Sequence, residues 1–218
     1  MAANKHIADL DVQNVLVRDR LLDAAEKLFC EKGFDRTSVR DLTQEAKCNI
    51  AAVNYHFGGK NKLYIQMFHR QMRRMMHRYR EAVGQILEMP DASLEDLLRA
   101  VVSQPLHHVE SNDPSGMVMK LLVREVLNRQ VAREEVFGEV EDEFFALFAE
   151  AFRRFCPNLS LRRAQLLFFS LDALVVHPML FYDFYQDVVP ALSVEDVIEH
   201  IVVFAAAGIR AHAQGAGQ

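Results

Sequence analysis

Residues that interrupt helices are scarce in this chain of 218 residues, which holds only 9 Gly and 6 Pro. Half of the residues are apolar. That combination fits a globular, helix-rich protein, and no segment shows the period-two alternation of a strand. There is no internal repeat and no low-complexity linker. Cysteine is limited to Cys30, Cys48 and Cys156, odd in number and widely spaced. They offer neither a disulfide framework nor a CxxC metal site, and buried thiols in a reducing compartment are the expectation. No uninterrupted apolar run approaches the roughly 18 residues of a membrane span. The opening "MAANKHIADLDVQN" lacks the apolar core of a signal peptide, so a cytoplasmic protein is expected. There is no GxSxG, no P-loop and no GxGxxG, which leaves an enzyme reading without a nucleophile elbow or phosphate cradle. His69, His77 and the pair His107-His108 fall outside any HExxH frame, and neighbouring histidines on a helix point about 100° apart. No metal, cofactor or catalytic residue is expected.

What the chain does have is an uneven charge. The formal net charge is −5, yet residues 1–90 carry 15 Lys and Arg against 11 Asp and Glu, while residues 91–218 carry 10 against 19. From Lys60 to Arg80 there are seven cations and no acid. Two readings fit this stretch: a solvated basic helix face, or a polyanion partner at one end of the molecule.

Helical spacing of Val17, Leu21, Ala24, Ala25 and Leu28 predicts an amphipathic helix over about 14–32, with Gly33 as its C-cap. Thr37 or Ser38 can cap a second, short helix over about 38–46, and Asp41 completes a capping box with Ser38. After the turn "KCN", Asn49 can cap a third helix over about 49–56, closed by Gly58-Gly59. A long basic helix then runs from Lys60 to about Leu87. Further helices are expected over about 93–109, where Pro105 should kink or break it, 114–130, 133–156, 160–186 and 194–212. Phe137, Phe144, Phe145, Phe148 and Phe152 should line the inner side of the helix at 133–156, and Pro178 should kink the one at 160–186.

Two short helices joined by a turn of three residues form the helix-turn-helix pattern, whose second helix enters the DNA major groove. Residues 18–64, through "LLDAAEKLFCEKGFDRTSVRDLTQEA" and "NYHFGGKNKLY", resemble the DNA-binding head of the TetR family of bacterial transcriptional regulators. The block "NIAAVNYHFGGK" is similar to one subgroup of that family. The resemblance implies an all-α fold, with an N-terminal three-helix helix-turn-helix head joined by a long helix to a larger C-terminal helical domain for ligand binding and dimerisation. The corresponding division is an N-terminal arm over 1–14, the DNA-binding head over 15–60, the C-terminal domain over 61–213 and a tail over 214–218.

The resemblance places Thr37, Arg40, Ile50, Ala51, Ala52, Asn54, Tyr55, His56 and Lys60 on the DNA contact surface. Their chemistry suits such a role. Small Ala51 and Ala52 let the third helix approach the groove floor, Asn54 can pair with adenine, and Ile50 and the Ala methyls can meet thymine methyls. Tyr55, His56 and Lys60 can donate to phosphates, which fixes register without reading sequence. Thr37 or Ser38 at the start of the second helix, and Asn49 at the start of the third, complete the candidate set. Packing roles compete: Ile50, Tyr55 and His56 can each belong to the core, and Arg40 can be merely solvated. Val53, Phe57 and Cys48 are assigned to the core. Lys47 stands where the family usually has Gly; a left-handed backbone there costs a non-Gly residue about 1 kcal/mol.

The resemblance further implies a homodimer on a near-palindromic operator and a small-molecule effector in the C-terminal domain. The abundance of Phe and Met suggests an apolar effector. Met76, Met117, Leu121, Phe144, Phe148 and Phe168 are its candidate contacts. Apolar excess at Leu167, Leu171, Leu174, Val175, Ile198, Ile201, Val202 and Ala205 suggests a four-helix dimer interface from the last two helices. Asp172 and His177 in that setting can be a mutual pair, ligand contacts or interface groups. The function expected is a DNA-binding transcriptional regulator, most simply a repressor released by an effector. An activator, an all-helical adaptor without a DNA role and an enzyme on a helical scaffold are the competing classes.

Overall fold

The structure is a computed structural model describing residues 2–108, 114–127, 134–135, 138 and 140–214, and among these every regular element is an α-helix. The helices are α1 (Ala2–Lys32), α2 (Val39–Glu45), α3 (Ala51–Phe57), α4 (Lys60–Glu88), α5 (Leu94–Leu106), α6 (Pro114–Leu127), α7 (Glu141–Phe155), α8 (Leu161–Val188) and α9 (Val194–Gln214). Helical periodicity and caps therefore located the elements to within a few residues, with three informative differences. The first helix starts at Ala2 rather than near residue 14, because residues 2–13 contain no Gly or Pro to stop it and extending a formed helix costs little per residue. Helix α7 starts at Glu141, because Gly138 and Val140 ahead of it are in turn conformation, so the helix expected from Arg133 to Cys156 is not continuous; Arg133 and Phe137 themselves lie outside the described residues. The third difference concerns α8. Its run of apolar residues is broken by few charges, and it is the one described helix long and apolar enough to cross a membrane by length and composition, although no uninterrupted run is that long.

The chain divides into two compact units, one of Met1–Gln71 with Met117–Val136, the other of Met72–Gly116 with Phe137–Gln218. In the first, α1 packs on α2 and α3, and α2 on α3. Leu21, Leu22, Ala25, Phe29, Leu42, Val53, Leu63, Met67 and Phe68 are fully buried there. Each such large side chain contributes about 1.5–3 kcal/mol by leaving water. Phe29, Tyr64 and Phe68 form an edge-to-face stack, with ring centroids 4.8 and 4.9 Å apart. Two polar devices fix the start of α4 against α1. Arg70 reaches Glu26 at 2.8 Å and Asp23 at 2.9 Å, and Arg18 donates to Gln66 at 3.4 Å.

In the second unit α5 packs chiefly along α9, and α8 packs on α5, α7 and α9. Leu97, Leu98, Val102, Ile198, Val202 and Ala206 fill that core. Arg99–Glu199, His107–Glu195 and Arg210–Glu95 tie α5 to α9 at the surface. Arg154, in the last turn of α7, donates to the carbonyls of Ile86, Leu87, Met89 and Pro90. It thereby satisfies carbonyls that the end of α4 leaves without helical partners. Pro105 sits in the last turn of α5, which ends one residue later. Helix α8 does bend, but its non-helical residue is Phe181 (φ −122°, ψ 24°), almost one turn beyond Pro178.

The expected interface residues need correction. Leu171, Val175, Ile198, Ile201, Val202 and Ala205 are buried within the protomer, and Leu167 and Leu174 are half-buried. The apolar surface left open is another stripe: Leu166, Phe169, Ala173, Phe181, Phe184 and Val188 on α8, with Val203, Phe204 and Ala207 on α9. A helix apolar around most of its circumference gives periodicity no way to say which face is the inner one.

Candidate nucleic-acid interface

Helix α2 begins at a full capping box. The Ser38 hydroxyl accepts from the Asp41 N–H at 3.1 Å, and the Asp41 carboxylate accepts from the Ser38 N–H at 2.8 Å and from its hydroxyl at 2.7 Å. Those bonds hold the Asp41 carboxyl below the usual carboxylate range. Ser38 is thus the N-cap and remains exposed. Thr37 is not a surface contact. Its side chain is fully buried, and its hydroxyl donates to the carbonyls of Gly33 at 2.8 Å and Leu28 at 3.2 Å, fastening the end of α1 to the start of α2. A hydroxyl whose single proton is shared between two carbonyls has no donor left for a phosphate. Arg40 is exposed on the outer side of α2.

The turn from α2 to α3 carries the left-handed residue its missing glycine foreshadowed: Lys47 has φ +51°. Its N–H donates to the Gln44 carbonyl at 3.2 Å, and the Arg20 guanidinium, arriving from α1, donates to the Ala46 carbonyl at 3.0 Å. Cys48 is half-buried rather than core, its thiol pushed up by burial. Asn49 opens α3, its side-chain oxygen accepting from the Ala51 N–H at 2.9 Å.

Helix α3 is only seven residues long, and it has one buried side. Val53 and Phe57 are 0% and 7% exposed. Facing out are Ala51, Asn54 and Tyr55, with Asn49 and Ile50 just ahead of them; Ile50 is 51% and Tyr55 75% exposed. Ala52 and His56 are half-buried. Burial, and then the Arg18 charge, hold the His56 imidazole below its ordinary pKa. The packing alternatives for Ile50 and Tyr55 do not describe side chains this open.

Gly58 (φ +72°) and Gly59 (φ +128°) then reverse the chain, in conformations that residues with a Cβ rarely adopt. Asn54 Oδ1 lies 3.9 Å from where a Gly59 Cβ would stand, so the Asn54 amide flanks the turn that delivers Lys60. Lys60 is half-buried, with its ammonium 4.0 Å from the Phe34 ring centroid. Arg18, Arg20, Phe34 and Arg70 were not singled out from the sequence. Asp23 and Glu26, three residues apart on one face of α1, carried the signal for Arg70.

Of the candidate effector contacts, the structure brings three together. Phe144, Phe148 and Phe168 lie 5.0–5.2 Å apart, and Tyr79 lies 5.3 Å from Phe144 and 5.6 Å from Phe148. Met76 is buried in the same unit. Met117, exposed, and Leu121, buried, belong to the other unit. His177 does not pair with Asp172; its Nδ1 lies 2.8 Å from the Tyr185 hydroxyl. Five residues of helix put Asp172 and His177 about 140° apart. Among the described residues no three of His, Cys, Asp and Glu gather as a metal set.

Comparison with known proteins agrees with this architecture. The family model "Bacterial regulatory proteins, tetR family" matches residues 21–67, and "Tetracyclin repressor-like, C-terminal domain" matches residues 99–208. The probable HTH-type transcriptional regulator YttP of Bacillus subtilis (strain 168) is 24% identical over 152 residues, 61% of this chain and 70% of that protein. The biofilm operon icaADBC HTH-type negative transcriptional regulator IcaR of Staphylococcus aureus (strain Newman) is 36% identical over 50 residues, 23% of this chain and 27% of that protein. Among solved structures, the fatty acid degradation regulator FadR of Bacillus halodurans superposes with a TM-score of 0.65 at 20% identity, covering 89% of this chain and 96% of that one. The FadR of Bacillus subtilis, solved with stearoyl-CoA, gives a TM-score of 0.66 at 12% identity, covering 85% and 96%. These two likenesses speak to the fold. With the C-terminal model alone matching half of its length and the head model matching α1 to α4, the chain belongs to the TetR family of bacterial regulatory proteins, DNA-binding transcriptional regulators rather than enzymes.

Proposed function

We propose that the protein is a homodimeric repressor that holds a near-palindromic operator with two copies of α3 and releases it when a small apolar effector binds. The observation that carries the DNA reading is the outward face of α3: Ile50 and Tyr55 stand 51% and 75% exposed beside Asn54, while Val53 and Phe57 behind them are buried. An apolar and an aromatic side chain held in solvent on a short helix suit contact with base methyls and backbone. Asn54 reads bases; Ile50, Ala51 and Ala52 lie along the groove floor; Ser38, Arg40, Asn49, Tyr55, His56 and Lys60 contact phosphates. The open stripes of α8 and α9 support a twofold interface, and two identical heads call for a twofold site. Repression accords with the negative regulator IcaR, 36% identical over 50 residues. The aromatic group of Tyr79, Phe144, Phe148 and Phe168, with Met76, supports an apolar effector. Action on DNA supports a cytoplasmic location.

Selection from a random duplex pool with purified protein tests this reading. An inverted repeat should be enriched, with binding that falls steeply with salt. Asn54→Ala should relax base preference at one position of each half-site, and Lys60→Ala should weaken all sequences alike. A single unrepeated site, or a Lys60→Ala variant that lost preference at one base pair with its salt slope unchanged, would overturn these roles.

A further inference from the structure

The Lys60 ammonium in the candidate interface lies over an aromatic ring. Phe34 stands in the turn between α1 and α2, and the Lys60 ammonium lies 4.0 Å from its centroid. The ring is half-buried and rests on the core of the head, 4.8 Å from Tyr64 and 5.8 Å from Phe29. Phe29 is fully buried and Tyr64 is 5% exposed, so the wall behind Phe34 is fixed. The first turn of α4 contains no acid. An aromatic face attracts an ammonium through its quadrupole and leaves the charge intact, whereas a carboxylate would neutralise it. A lysine on a flexible four-carbon stem otherwise surrenders much of its rotamer freedom when it settles on a phosphate.

We propose that Phe34 is a positioning residue for DNA binding: its ring holds the Lys60 ammonium beside the Gly58-Gly59 turn where α3 ends, so that it meets a phosphate already placed. The proposal rests on the reading of Lys60 as a phosphate contact, and the two fail in different ways. The test measures affinity for the enriched operator and for an unrelated duplex, across a salt series, for Phe34→Leu, Phe34→Tyr, Lys60→Met and the Phe34→Leu/Lys60→Met double variant. Phe34→Leu keeps an apolar side chain but removes the ring face. It should weaken both duplexes by the same factor, roughly two- to fivefold, with the salt slope unchanged because the charge remains. Phe34→Tyr should bind as the parent does. Lys60→Met should weaken both duplexes and lower the salt slope by about 1, and adding Phe34→Leu to it should change nothing further. If Phe34→Leu costs the same factor in the Lys60→Met background, the ring serves the fold alone and the proposal is overturned. It is equally overturned if Phe34→Leu binds normally while Lys60→Met does not. Should Lys60→Met leave affinity and slope untouched, the phosphate reading itself fails and this proposal with it.

Discussion

Helix α3 and helix α9 both present apolar side chains to solvent, for opposite reasons. In α3 two buried residues, Val53 and Phe57, suffice to seat seven, and the outward side is short and mixed: Ala51, Asn54, Tyr55. In α9 the buried side is complete, with Val194, Val197, Ile198, Ile201, Val202, Ala206 and Ile209, and an apolar stripe still remains at Val203, Phe204 and Ala207. One exposed face mixes an amide, a phenol and small groups, which suits a groove of varied polarity. The other centres on an apolar strip, Val203, Phe204 and Ala207, with the exposed His200 ring beside Phe204, and continues the stripe type seen on α8, which suits another protein surface of the same kind. An exposed apolar group therefore means different things in the two regions, and polarity of the neighbours separates them.

The largest effects should come from placing charge on the two sides of α9. Phe204 is 61% exposed, so Phe204→Glu should leave the protomer folded but split the dimer, and with it operator binding. Ile201 is 3% exposed, and Ile201→Asp should unfold the protomer itself, since an unpaired buried charge costs several kcal/mol. Light scattering and circular dichroism read the two outcomes. A dimer that survives Phe204→Glu would move the interface elsewhere.

Next in size is the aromatic group of the second unit. Phe148 is 2% exposed and ringed by Tyr79, Phe144, Phe152 and Phe168. As ordinary core, Phe148→Ala should cost roughly 3–5 kcal/mol in denaturant unfolding. A much smaller loss joined to an altered effector response would make Phe148 the wall of an effector pocket.

These two regions were also unequally legible in the sequence. The head announced itself because its signals are local: Ser38 with Asp41, Gly33, Gly58-Gly59 and the spacing of Val53 and Phe57 each act within a few residues. What it hid was tertiary. Thr37 looked like a cap or a phosphate contact, yet two carbonyls from the end of α1 claim its hydroxyl. Phe34 and Lys60 are 26 positions apart, and no periodicity links them. In α8 and α9 the helices were legible but their rotation was not, because residues that pack inward and residues that stay open are equally apolar. Val202 and Val203 are neighbours of one type with opposite fates.

A smaller effect sharpens the reading of the head turn. Lys47 holds φ +51°, where a side chain is strained and Gly is not. Lys47→Gly should raise stability by up to about 1 kcal/mol, the strain relieved less the entropy of a freer unfolded chain. If Lys47 also meets a phosphate, the same variant should be more stable yet bind DNA less tightly, with a lower salt slope. Stability and affinity rising together would exclude the phosphate contact.

The smallest effect compares one device across both regions. Ser38–Asp41 caps α2 in the head, while Ser93–Asp96 and Ser193–Asp196 cap α5 and α9 in the other unit, all with the same reciprocal bonds. In each the serine hydroxyl, then its backbone N–H, holds the aspartate below its ordinary range. A carboxyl lowered on folding adds stability that is fully present above its unfolded pKa, near 3.9, and is lost as pH falls through the lower folded value. Acid unfolding should therefore steepen below about pH 4, and Ser→Ala at any of the three caps should reduce that dependence as well as stability at pH 7. The three carboxylates are exposed, so the change per cap is small and should be of similar size at Ser38, Ser93 and Ser193. Unfolding midpoints across pH 2–7 for the three variants measure it. A Ser38→Ala variant with an unaltered acid limb, beside altered limbs for the other two, would mean that the cap of α2 contributes nothing to the stability of the head.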